Sequence, residues 1–217
     1  MTASPPQTAT ARRPASDLVG EVAAAYVKEL QEGYLADRSS AVGALAQLRR
    51  GAGKLPEDVP ELWGVGGTER LYGAQGLSER EALKAEFALF AAITLYALHQ
   101  QSKSSQRMHR AGAELGAAVR QLMPGGALDE PIRRRFVRLG TATTPKVLTE
   151  RLREVVILLR NASIPLDYGI LATQLYQAQD PDGLRHVRQR WGRTFHSYRP
   201  AGQRTEADTA ASSDKDI

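Results

Sequence analysis

The stretch from Ser78 to Gln100 constrains this chain more than any other part of it. Ser78 and Glu81 stand at capping-box spacing, in which a hydroxyl and a carboxylate reciprocally satisfy the exposed amides of a helix start. Beyond them Leu83, Phe87, Phe90, Thr94 and Ala97 return to one side at the 3.6-residue period. The run from Phe87 to Leu98 is almost wholly apolar, yet falls short of the ~20 residues that span a bilayer. A helix of that kind has to be buried in protein. The spacing therefore predicts a central core helix, and the rest of the chain has to cover it.

Elsewhere apolar residues also recur at helical spacing, and no segment alternates as a half-buried strand would. Ser16 or Asp17 is placed to cap a helix reaching about Gln31, and a second runs from Ser39 to Arg49-Arg50 with Gly51 as its stop. Residues 51–76, crowded with Gly and Pro, read as a long irregular connection carrying Trp63 and Tyr72. Further helices start at Asp129, at Thr144-Pro145, at Asp167 and at Asp182, with Phe136, Trp191 and Phe195 on their inward stripes. The expected fold is all-α, about eight to nine helices without a sheet, in one bundle or two small lobes. Residues 1–15 read as a disordered arm, 16–200 as the helical domain, and 201–217 as a disordered tail. Within the domain, 16–128 form an N-terminal lobe and 129–200 a basic C-terminal lobe.

A chain of 217 residues, 42% hydrophobic and 24% charged, has the apolar content for a core without metal or disulfide support. It contains no cysteine, which removes thiolate metal sites and cysteine nucleophiles and suits a reducing cytosol. Charged residues interrupt the only apolar stretch near the N-terminus, so a cytoplasmic protein is expected, with neither secretion nor membrane insertion. The net charge of +5 is unevenly spread. Residues 129–200 hold 13 basic and 7 acidic side chains, and Gly183 to Arg199 holds five arginines and no carboxylate. An excess of that kind suits phosphate, and suits an acidic protein equally well.

The segment Arg49-Arg50-Gly51-Ala52-Gly53-Lys54 pairs cations with glycines that let a backbone approach phosphate. It is no Walker loop, since Leu48 stands where that motif needs Gly and Leu55 where it needs Ser or Thr. A solvated helix end with dipole-complementing arginines is its plain alternative. Gly64, Gly66 and Gly67 fail the dinucleotide fingerprint because Glu69 takes its last glycine position. His99, His109, His186 and His196 match no metal-ligand spacing, and no cofactor is expected. Lys103, Arg107 and Arg110 make a cationic patch after the central helix, open to reading as solvated surface. Arg134, Arg135 and Arg138, then Arg185, Arg188 and Arg193, form faces without apparent i,i+4 acidic partners. Arginine outnumbers lysine there, as bidentate phosphate contact favours.

Taken in order, several segments resemble the CasB family, the small subunit of the type I-E CRISPR surveillance complex called Cascade. They are Leu45 to Lys54 followed by Val59-Pro60-Glu61-Leu62-Trp63; Leu95-Tyr96-Ala97-Leu98-His99-Gln100; Leu115-Gly116-Ala117-Ala118; and Arg134-Arg135-Phe136. Leu152-Arg153, Leu158-Leu159-Arg160, Pro165-Leu166-Asp167-Tyr168 and Trp191-Gly192-Arg193-Thr194-Phe195 complete the set. The resemblance covers about Leu18 to Tyr198. It implies a non-enzymatic helical subunit, present in two copies beside CasA and the backbone subunit. Basic surface of such subunits contacts guide RNA, target DNA and the displaced strand, with no membrane and no small-molecule substrate involved. By position Arg49, Arg50, His99, Arg134, Arg135 and Arg153 match the family's pattern. One departure is Ala117, where relatives often carry Arg after Leu-Gly. Read from the residues alone, a free-standing helical DNA-binding regulator, a hydrolase using His99 or His109, and a pure protein scaffold stay open.

Overall fold

The computed structural model describes residues 13–72, 76–123 and 127–199. Among them nine α-helices occur: α1 (Ala15–Leu35), α2 (Ser39–Leu48), α3 (Glu69–Tyr72), α4 (Glu79–Gln100), α5 (Leu115–Gln121), α6 (Glu130–Gly140), α7 (Pro145–Asn161), α8 (Tyr168–Gln177) and α9 (Gly183–Ser197). Short 3-10 turns occupy Arg49–Gly51, Pro56–Asp58 and Pro60–Leu62. Extended pairing among the described residues amounts to one isolated bridge between His109 and Leu166. The expected all-α class is the observed one. The arm expected over residues 1–15 lies outside the described residues as far as residue 12, and the tail at 201–217 lies wholly outside them.

The central helix starts as its capping box requires. The Ser78 amide donates to Glu81 Oε2 at 2.9 Å, and the Glu81 amide to Ser78 Oγ at 3.4 Å. Every residue of α4 from Ala88 to Gln100 is buried. Among the described residues it is the one helix long and apolar enough to cross a bilayer, and 78% of that window is covered by the rest of the fold. The expected one-sided stripe is therefore too simple. Leu83, placed inward by the period, is 63% exposed, although Ala85 two residues on is fully buried.

Helices α1, α2, α7 and α8 pack on α4, α1 runs along α8, and α5 lies against α9. Helices from both sides of residue 129 share one apolar cluster, so the boundary in charge is not a boundary in packing. Asp129, Thr144 and Asp167 cap α6, α7 and α8 by accepting amides of the first turn, which is why those starts were legible. Two other boundaries need correction. Helix α1 starts after Pro14 without a side-chain cap, and α2 ends at Leu48, the chain continuing through the 3-10 turn to reverse at Gly53. Within residues 51–72, the 3-10 turns Pro56–Asp58 and Pro60–Leu62 and helix α3 occur where an irregular connection is expected, and Val59 and Leu62 pack on Phe90.

Helix α5 was not anticipated as a helix, and its seven residues depend on one close approach. A Cβ on Gly116 would lie 2.0 Å from the Trp191 carbonyl oxygen and 2.6 Å from the Phe195 amide nitrogen. Alanine's better helix propensity is worth only about 1 kcal/mol, whereas this overlap is with backbone and forces α9 to move. Gly116→Ala is accordingly expected to lower stability by about 2 kcal/mol, read as a reduced urea midpoint at unchanged m-value.

Candidate nucleic-acid interface

The first cationic group is assembled by a glycine. Gly53 has φ +82°, and a Cβ there would lie 2.7 Å from Arg153 Cδ, so the methylene stem of Arg153 on α7 rests on the loop backbone. The Thr149 hydroxyl, one turn earlier on α7, donates to the Lys146 carbonyl at 2.9 Å and lies 3.4 Å from that of Gly53. This packing brings Arg49, Arg50, Lys54 and Arg153 to one place, with Arg50, Lys54 and Arg153 exposed and Arg49 half-buried. Among the described residues none of the four has an acidic partner within ion-pair distance.

Helix α7 then leads to the second group. Arg160 follows Arg153 by two helical turns, about 10.5 Å along the axis and on nearly the same face. Its guanidinium donates to Gln101 Oε1 at 2.9 Å, and Lys103 donates to Ser163 Oγ at 2.7 Å, which ties the loop after α4 to the end of α7. Arg160 was absent from the sequence candidates. The seven-residue interval from Arg153 was the signal for it.

That loop, residues 101–113, is held by buried amides and a carboxylate. The Gln100 side chain donates to the carbonyls of Lys103 and Gln106 at 2.6 and 2.8 Å, and its oxygen accepts the Met108 amide at 3.2 Å. Gln31, on α1, accepts the His109 amide at 2.8 Å and donates to the His109 carbonyl at 3.2 Å. Asp167 accepts the Gly112 amide at 2.7 Å while capping α8. Lys103, Arg107 and Arg110 are thus displayed from a braced segment, with Arg107 and Arg110 exposed.

His99 is a correction. It is fully buried, with Nδ1 2.8 Å from the Tyr168 hydroxyl, and has no route to a phosphate. Burial holds its pKa down at about 3, so the ring is a neutral core element. His109, half-buried, accepts the Tyr168 amide at 3.3 Å and is likewise held below the usual range by burial. The one hydroxyl beside His99, that of Tyr168, is itself buried and held protonated by burial, and the described residues contain no cluster able to hold a metal.

The arginines of α6 and α9 also need correction, because several have acidic or carbonyl partners. Glu130 accepts from Arg133 at 2.6 Å and from Arg134 at 3.1 Å, which pull its pKa down to about 2. Arg135 and Arg138 are exposed, with no ion-pair partner among the described residues. On α9, Arg185 lies 3.5 Å from Asp182, and the partly buried Arg188 donates to the Ala142 carbonyl. Arg190, on the opposite flank, pairs with Glu114 at 2.8 Å. Arg193 is exposed and has no ion-pair partner. Glu130 and Asp182 stand at the starts of the same helices, three or four residues before the arginines they pair with, and only Glu114 comes from elsewhere in the chain.

Among the described residues, nine helices wrapped on a buried axis, with cations lacking ion pairs at the contact of Gly53 with α7 and beyond α4, define an all-α protein whose distinctive surface is basic. The family model of the CRISPR-associated protein Cse2 matches residues 44–196. The crystal structure of CasB from Thermobifida fusca is 51% identical, with a TM-score of 0.75 over 83% of this chain and 98% of that one. A chain of a CRISPR RNA-guided surveillance complex shares the fold at 23% identity, with a TM-score of 0.62 over 82% of this chain and 93% of that one. No curated protein matches. The chain belongs to the CRISPR-associated Cse2 (CasB) family.

Two outcomes follow from the buried polar groups. Gln100→Leu leaves the Met108 amide, the Tyr96 hydroxyl and the Gln106 carbonyl without the partner that Gln100 supplies, and is expected to cost about 2–3 kcal/mol. Hydrogen exchange should then quicken across residues 101–110 while α4 stays protected. The second concerns acid. His99 and His109 titrate lower when folded than unfolded, so their stability contribution is complete above the unfolded value of 6.5 and is lost as pH falls towards 3. The urea midpoint should fall on acidification below pH 6.5, and His99→Gln should remove one proton's share of that slope, about 1.4 kcal/mol per pH unit.

Proposed function

We propose that this protein is a non-catalytic small subunit of a type I-E CRISPR Cascade complex, acting in the cytoplasm to hold nucleic-acid backbone without regard to sequence. Guide RNA, target DNA and the displaced strand are the polymers it meets. CasA, the backbone subunit and a second copy of itself are its protein neighbours in this reading. The observation that carries it is the set of four unneutralised cations, Arg49, Arg50, Lys54 and Arg153, brought together by the Gly53–Arg153 packing in a member of this family.

The physical role is modest and sufficient. Opening an R-loop exchanges one duplex for another of similar stability, so a few backbone contacts tip the balance. Guanidinium groups on a braced scaffold supply such contacts with little ordering entropy, and their strength falls steeply with salt. In this reading Arg160 on α7 and Lys103, Arg107 and Arg110 on the loop after α4 extend the first group, and Arg135, Arg138 and Arg193 add exposed cations without ion pairs among the described residues. His99 has no part in it. Arg134, Arg185 and Arg188 are secondary candidates, since a phosphate has to compete with Glu130, Asp182 and the Ala142 carbonyl for them.

The test is a charge reversal, Arg49→Glu, Arg50→Glu and Arg153→Glu together, in the complex assembled on its guide RNA. R-loop lifetime should fall at least ~10-fold, and the slope of log affinity against log salt should decrease by about one per lost phosphate contact. Helical content should be unchanged. A lifetime and slope equal to the unaltered complex would overturn the proposal, and site-specific DNA binding by the isolated chain would favour a free-standing regulator.

A further inference from the structure

The connection between α2 and α4 changes sign at Leu55. Arg49 to Lys54 is cationic, whereas residues 55–72 contain four carboxylates, Glu57, Asp58, Glu61 and Glu69, and one cation, Arg70, which is tied to Glu29 at 2.9 Å. On this acidic stretch and the adjoining start of α4 stand three exposed large apolar side chains, Trp63 at 70%, Leu83 at 63% and Tyr72 at 53% exposure. They belong to one surface. The Trp63 indole donates to the Pro56 carbonyl at 3.3 Å, and the Tyr72 hydroxyl donates to Glu86. Pro56, Leu83 and Glu86 all line one groove of about 440 Å³, floored by Phe87 and Pro145. A small hollow of about 50 Å³, which shares Phe87 and Pro145 with that groove, continues inward to Leu148, Leu175 and Leu184.

We infer that this groove docks a segment of another protein that presents an apolar side chain flanked by lysine or arginine. Charge complementarity selects that occupant. The exposed carboxylates of Glu57, Asp58 and Glu61 repel phosphate, and Lys146, the one cation lining the groove, stands 3.9 Å from Asp58. The apolar hollow accepts a side chain rather than a charge. The support is rigid where a docking face needs it: Val59 and Leu62 fasten the 3-10 turns to Phe90, and the indole hydrogen bond fixes the Trp63 ring. Exposed apolar surface with a polar rim is otherwise costly to leave open. This reading stands apart from the basic interface, because none of its residues belongs to the cationic groups.

The test uses the full chain and a labelled amphipathic helical peptide of about 15 residues, with leucines at i, i+3, i+4 and i+7 and flanking lysines. Saturable binding is expected, weakened at least tenfold by Leu83→Asp and also by Glu57→Lys with Asp58→Lys and Glu61→Lys, and unaffected by Arg49→Glu with Arg50→Glu. A peptide with glutamate flanks should not bind, and duplex DNA should not compete. Both substituted side-chain sets are exposed, so unchanged circular dichroism confirms folding of each variant. No binding, binding indifferent to Leu83→Asp, or competition by DNA would overturn the inference. A self-associated form of the chain abolished by Leu83→Asp would overturn it too, assigning the groove to a second copy.

Discussion

Thirteen consecutive residues of α4, Ala88 to Gln100, are closed off from water on every side, and no single neighbouring helix can do that. Covering them takes α1 and α2 from before α4 in the chain and α7 and α8 from after it. The hydrophobic effect thereby fixes more than stability, because it decides which distant segments become neighbours. Arg153 meets Gly53, a hundred residues earlier, because both α7 and the turn after α2 are drawn to α4.

The end of that helix poses the opposite problem. A buried helix C-terminus leaves carbonyls and side-chain polar atoms that must find partners without solvent. Gln100, Gln31 and Asp167 answer by binding the backbone of the segment that follows, while the Tyr168 hydroxyl donates back to the Leu95 carbonyl of α4. Satisfying the core and fixing the cationic loop are one set of hydrogen bonds. The loop's order comes partly from sealing α4 through Gln100, and partly from Gln31 and Asp167 on neighbouring elements.

Much of the architecture was legible because helix starts carry local chemistry. The Ser78 capping box and the caps at Asp129, Thr144 and Asp167 fall where the residues put them. Less was legible where space decides. Helix α5 depends on Gly116 letting α9 approach, and Leu83 is exposed at the rim of a groove although Lys84 and Ala85 beside it are held by neighbours. The interface shows the same division. Runs of arginine marked the basic half, but pairing of Arg190 with Glu114 spans 76 residues and is invisible to charge counting along one helix. His99 followed the family's pattern in the chain, and the fold turned it inward to Tyr168.

The seat of Arg153 on Gly53 makes the two positions unequal. A lysine at 153 retains the methylene stem and keeps the loop supported, so chemistry at that position has room to drift. Position 53 is pinned twice, by the left-handed backbone angle and by the stem lying over it. Shortening the arginine relieves only the second restraint. At this contact, charge can change over time at position 153 of the helix, with the glycine left in place.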